Sequence, residues 1–78
     1  MNAHNDSFLE RISSNPDILH GKPCIKGTRI PVYLIISLVA AGETTEHILT
    51  DYPSLTAEDI RAALQYASRL AEHEAYAL

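Results

Sequence analysis

The sequence predicts a mostly helical domain, a three-helix core of helix-turn-helix type preceded by a short extended arm. Three observations carry that expectation. From Val32 the apolar residues recur at helical spacing, with Val32, Ile35, Ile36 and Val39 at i, i+3, i+4 and i+7. Further on, a short helical segment ending at Asp51 is separated from a longer one by the turn Tyr52-Pro53-Ser54-Leu55, the layout of a helix-turn-helix unit. Before residue 31, by contrast, Gly21, Pro23 and Gly27 break up the few apolar residues into pieces suited to strands and turns.

Met1 to Ser7 is polar and without periodicity, which predicts a disordered terminus. The arm is expected over residues 8–30. Phe8-Leu9-Glu10-Arg11-Ile12 can open either a strand or a helix, and Asn15-Pro16-Asp17 behind Ile12-Ser13 favours a short strand ending in a turn. Pro23 holds Lys22 extended, while Gly21 and Gly27 can take positive φ and turn the chain at both ends of that stretch.

The helical core is expected over residues 31–72, with Pro31 in the first turn, where its missing N–H costs nothing, and Gly42 as the stop. Tyr33, Leu34 and Leu38 fall on the other side of this first helix, which is therefore apolar almost all round and calls for burial on two sides. Thr44 or Thr45 caps the second helix, Glu46 suits its positive end, and Ile48, Leu49 and Tyr52 form its apolar side before Pro53 ends it. The third has the clearest start in the chain. Thr56 is the N-cap, Asp59 stands where a Glu would close a capping box, and Leu55 is placed to staple against Ile60. Its core stripe is predicted as Ile60, Ala63, Leu64, Ala67 and Ala71, with residues 73–78 as a frayed tail.

At 78 residues the chain forms one domain near the lower limit for a self-sufficient core, so a homodimer or a bound partner is expected to supply further burial. With 46% hydrophobic and 21% charged residues it is a folding sequence and not a disordered one. One cysteine, Cys24, cannot form an internal disulfide, and no signal peptide is legible at the N-terminus, so a cytoplasmic location is the expectation. The apolar run from Ile30 to Ala41 is too short to cross a membrane. A net charge of −4 argues against nucleic-acid binding by bulk electrostatics, while leaving room for a local basic patch.

Two groups of residues qualify as such a patch. Lys22, Lys26 and Arg29 sit on the glycine-flanked stretch, and Arg61, Gln65 and Arg69, spaced by four, share the outer face of the third helix. Each is either a set of solvated charges, the commoner case, or a grip for DNA phosphate or an acidic partner. Chemistry of the chain's own is not expected. The order Lys26-Gly27-Thr28 is not that of a phosphate-binding loop, and no cofactor motif is present. His20 and Cys24 make one pair without further metal ligands, with His4, His47 and His73 on unrelated segments, and Cys24 lacks a positioned base and reads as a small buried hydrophobe.

Gly21-Lys22-Pro23-Cys24-Ile25-Lys26-Gly27-Thr28-Arg29-Ile30-Pro31-Val32, followed by Ala41-Gly42-Glu43 and by Asp51-Tyr52-Pro53-Ser54-Leu55-Thr56-Ala57-Glu58-Asp59-Ile60, resembles the small bacterial and archaeal family termed domain of unknown function 433 (DUF433). The likeness runs from about Ile12 to Ala71. It implies a homeodomain-like fold in which Gly21, Pro23, Gly27, Pro31 and Thr56 are structural, and an antitoxin that binds and inhibits a PIN-like ribonuclease toxin. The alternative is a stand-alone helix-turn-helix regulator of transcription that binds duplex DNA. Against direct reading of DNA, Ala57, Glu58 and Asp59 open the helix that would enter the groove, and two of the three are acidic.

Overall fold

The computed structural model describes residues 6–75. Asp6–Arg11 is a 3₁₀ helix that runs directly into strand β1, Ile12–Ser13. β1 pairs antiparallel with β2, Cys24–Ile25, in the register Ile12 to Ile25 and Ser13 to Cys24. Helices α1 (Val32–Ala40), α2 (Thr45–Asp51) and α3 (Ala57–Ala75) follow. The molecule is mostly helical with a small antiparallel sheet at its N-terminal end, consistent with a small helix-turn-helix-like fold.

Between the strands the chain makes a left-handed turn at Leu19, His20 and Gly21, whose φ values are 50°, 57° and 83°. Only the third is a glycine, so two residues pay a conformational cost of roughly 1–2 kcal/mol each. Local hydrogen bonds offset it: Gly21 N donates to Ile18 O (3.0 Å), Lys22 N to Leu19 O (3.1 Å), and the Ser14 hydroxyl to the Gly21 carbonyl. Lys22 then leaves extended, at φ −66° and ψ 143°, as a residue before proline must.

The next turn is tighter. Thr28 N donates to Ile25 O (3.0 Å) with Gly27 at φ 83°, the positive value that a type II turn requires at its third residue. The Thr28 hydroxyl donates to the same carbonyl (2.8 Å) and accepts from Ile30 N (3.0 Å), pinning both sides. Ile25 N to Ile30 O (3.0 Å), a bridge between Cys24 and Pro31, and Val32 N to Pro23 O (2.9 Å) extend the pairing, so residues 23–32 close into a hairpin that delivers the chain to α1. Pro31 is the N-cap of α1, one residue before the helix, not within its first turn: its ψ of 147° keeps it in the hairpin while its φ of −74° already suits the helix.

Local chemistry satisfies the end of α1, both ends of α2 and the start of α3. At the end of α1, Glu43 N donates to Leu38 O and Gly42 N to Val39 O (both 3.0 Å), with Gly42 at φ 93°, which is a Schellman motif. Thr44 caps α2 by accepting from His47 N (3.1 Å). Leu55 N to Tyr52 O (2.9 Å) forms the turn after α2, with Pro53 at its second position. The capping box of α3 is complete: Asp59 N donates to Thr56 Oγ1 (3.2 Å), and Asp59 Oδ2 accepts from Thr56 N (3.0 Å).

Ile25, Val32, Ile35, Ile48, Leu55, Ile60 and Ala63 make the core, to which the sheet, the turn and all three helices contribute. Four expectations change. Leu38 packs against this core with Ile36 and Val39, so α1 is wrapped on more sides than its periodicity implied, leaving Tyr33, Ser37 and Ala40 outward. The core stripe of α3 differs from the expected one: Leu64 is 38% exposed and Ala71 is exposed, Ala67 is only half-buried, and Ala62 and Tyr66, outside the predicted stripe, are buried and packed against the core respectively. α1 has nine residues and α2 seven, too short to cover the 19 of α3. The tail does not fray at residue 73, because α3 runs to Ala75; residues 76–78 lie outside those described. At the other end, Asp6 and Ser7 belong to the 3₁₀ helix, and the rest of the predicted disordered terminus, with His4, lies outside the described residues.

Candidate partner-binding surface

Asp59 is the one buried charged residue among those described, at 6% exposure. A carboxylate taken from water needs compensation on both oxygens. Thr56 N supplies it at Oδ2, and Arg11 Nη1 supplies it at Oδ1 from 3.0 Å, across 48 residues of chain. Arg11 thereby fastens the N-terminal 3₁₀ helix to the start of α3. Phe8, also 6% exposed, seals the same joint, with the Arg69 guanidinium 5.4 Å from its ring centre.

Around this joint open two clefts. The larger, about 450 Å³, is lined by Ser7, Glu10, Arg11, Lys26 and Asp59. The smaller, about 160 Å³, shares Ser7 and Arg11 and adds Phe8, Glu58, Arg61, Ala62 and Gln65. Lys26 is drawn in by its backbone, whose N–H donates to Arg11 O at 2.8 Å. The two groups of cations in the sequence therefore meet at Arg11. Sequence reading passed over this residue because its partner Asp59 is remote in the chain and no local pattern links them. Phe8 was likewise read only as the opening of a strand or helix.

The remaining predicted residues divide. Lys22 and Arg29 lie away from the clefts on the hairpin, Lys22 with its ammonium 5.4 Å from the ring centre of Tyr33, whose side chain is largely exposed. Gly21, Pro23, Gly27, Pro31 and Thr56 hold the turns and the cap described above. Arg61 reaches Glu58 at 3.4 Å on the exposed side of α3, a surface pair of small energetic weight. Cys24 is buried beneath the hairpin with its thiol 3.4 Å from the Lys22 carbonyl. His20 is exposed on its left-handed turn, and His47 lies between Glu43 and Asp51 on α2. Among the described residues no three metal-binding side chains converge. No described helix is long and apolar enough to cross a membrane.

The family described as a protein of unknown function, DUF433, matches residues 12–67, from β1 through the middle of α3. The chain belongs to the DUF433 family. It is similar to the uncharacterized protein y4eO of Sinorhizobium fredii (strain NBRC 101917 / NGR234), with 52% identity over 58 residues. That match takes in 74% of this chain but 26% of the relative, so the chain spans about a quarter of the length of that protein. Its fold is similar to the crystal structure of a DUF433 member protein from Anabaena variabilis ATCC 29413, at a TM-score of 0.74 and 35% identity, covering 81% of this chain and 62% of the other. The motifs that carried the DUF433 likeness turn out to be the hairpin, the Schellman end of α1 and the capped start of α3. They specify backbone geometry.

Proposed function

We propose that this DUF433 chain is a binding module without chemistry of its own, an antitoxin-like protein that occupies and inhibits a PIN-like ribonuclease partner in the cytoplasm. The observation that supports it is the 3₁₀ helix fastened to α3 by Phe8 and the Arg11–Asp59 pair. A helix meant to enter the major groove presents its first residues to base edges. Here Asp59 is turned inward as a cap and anchor, Glu58 remains outside, and the 3₁₀ helix flanks the face carrying Arg61 and Gln65. That arrangement suits a protein interface better than a DNA groove. The acidic, metal-binding active site that the family resemblance implies for the partner would be met by cations of this chain.

Direct DNA binding is the second reading, favoured by the α2–turn–α3 layout and its homeodomain-like appearance, and the two roles are compatible if DNA is bound only in complex. The test is co-expression with the product of the adjoining gene. Rescue of growth, together with co-purification, is the expected outcome. Tight, sequence-selective binding of the isolated protein to its own promoter, with no affinity for that product, would replace the antitoxin reading with the regulator.

A further inference from the structure

All ten acidic residues lie outside residues 18–42, which hold Lys22, Lys26 and Arg29, half of the six lysines and arginines. The overall charge of −4 conceals a segment of uniformly positive sign. In the fold that segment is the left-handed turn, the hairpin and α1, with Lys26 at its border, where it shares the larger cleft with Glu10 and Asp59.

The cations of the two clefts are differently placed. Arg11 is held by Asp59 and Arg61 by Glu58, with Glu10 beside Arg11 in the larger cleft. Arg69 lies over Phe8. On the hairpin, Lys22, Lys26 and Arg29 are exposed, and among the described residues none of them forms an ion pair with a carboxylate, although Lys26 borders the cleft that holds Glu10 and Asp59. Tyr33, among the described residues the most exposed of the large apolar side chains at 56%, stands beside Lys22, whose ammonium lies over its ring. Exposed tyrosine with neighbouring cations is the composition of an interface hot spot.

We infer that the hairpin and the first turn of α1 form the surface that engages the partner, and that it takes an acidic protein surface. This rests on the binding-module reading above and decides which of its two cation groups is used. An acidic protein is favoured over a nucleic acid because three cations neutralise few phosphates, while the surrounding acidic surface repels a long polyanion. A compact acidic patch, by contrast, needs only three complementary charges and an aromatic contact. On α3, Arg61 would have to leave Glu58 and Arg69 the ring of Phe8 to contribute.

The experiment measures binding of poly-L-glutamate, of a single-stranded oligodeoxythymidylate and of the adjoining gene product to four proteins: the wild type, Lys22→Glu/Lys26→Glu/Arg29→Glu, Arg61→Glu/Arg69→Glu, and Tyr33→Ala. Circular dichroism melts establish that each variant is folded. On poly-L-glutamate, reversal of the hairpin charges is expected to weaken binding at least about tenfold, Tyr33→Ala to weaken it measurably, and the α3 reversal to change it less than about twofold. The oligonucleotide is expected to bind more weakly than the acidic polypeptide at the same salt. Equal or greater loss from the α3 variant, or tighter binding of the oligonucleotide, overturns the inference. Failure of the wild type to bind the adjoining gene product bears instead on the antitoxin reading, and leaves the comparison on poly-L-glutamate to judge the surface.

Discussion

Asp59 serves two neighbours with one carboxylate, and its removal therefore costs more than a surface charge would. Asp59→Ala should lower stability by about 1–2 kcal/mol, through loss of the cap and an unpaired Thr56 N–H, measured by urea unfolding. Arg11→Ala should also be destabilising, because it leaves Oδ1 of the buried Asp59 carboxylate without its partner. An Asp59→Ala variant as stable as the wild type would show the capping box to be inert. Gly27 offers a second single-residue test. A Cβ there would meet nothing within 4 Å, so the whole penalty of Gly27→Val is conformational, about 1 kcal/mol or more at φ 83°. An unchanged melting temperature would mean that the turn adopts another form. His20 is the mirror case, because glycine at φ 57° relieves strain: His20→Gly should be neutral or stabilising, in contrast to a glycine placed in an ordinary loop.

Among the elements, the N-terminal 3₁₀ helix is the one whose role sequence patterns could not announce. Six residues is long for a 3₁₀ helix, and nothing within it selects that geometry over a strand. What selects it is α3, which offers Ala62 as floor for the packing of Phe8 and Asp59 as anchor for Arg11. Phe8→Ala should accordingly destabilise the domain by about 2–3 kcal/mol, a little below a central core truncation, and lower hydrogen-exchange protection in the first half of α3. Protection unchanged in α3, with loss confined to residues 6–11, would show that the 3₁₀ helix is an appendage. The other elements were legible because their signals are local. Thr44, Thr56, Gly42 and Pro53 each act within four residues of where they stand.

For the whole molecule, the balance between core and surface bears on assembly. The first helix is better covered than its periodicity suggested, but Tyr33 and half-buried Leu34 remain on its outer side, and α3 adds Leu64 and Leu70, the latter 51% exposed. For so small a domain, we propose that this exposed apolar area is buried in a homodimer. Light scattering over a range of concentrations should give a dimer or larger, and Leu64→Glu/Leu70→Glu should shift the mass toward the monomer if α3 contributes to the contact. A monomer at every concentration would remove the dimer from the proposal.

What the sequence determined by itself was the order and the punctuation of the chain: the positive φ at Gly21, Gly27 and Gly42, a threonine cap for α2 at Thr44 or Thr45 and for α3 at Thr56, the turn at Pro53 and the three helices they delimit. These depend on backbone sterics and on hydrogen bonds spanning a few residues, which any copy of the same short string would form. The tertiary structure alone decided that Leu38 packs against the core, that α3 outruns its cover toward Leu70 and Ala71, and that Lys26 and Arg61 converge on Arg11. Those outcomes depend on the relative lengths of packed helices and on an ion pair across 48 residues, quantities that exist only once the elements have been brought together.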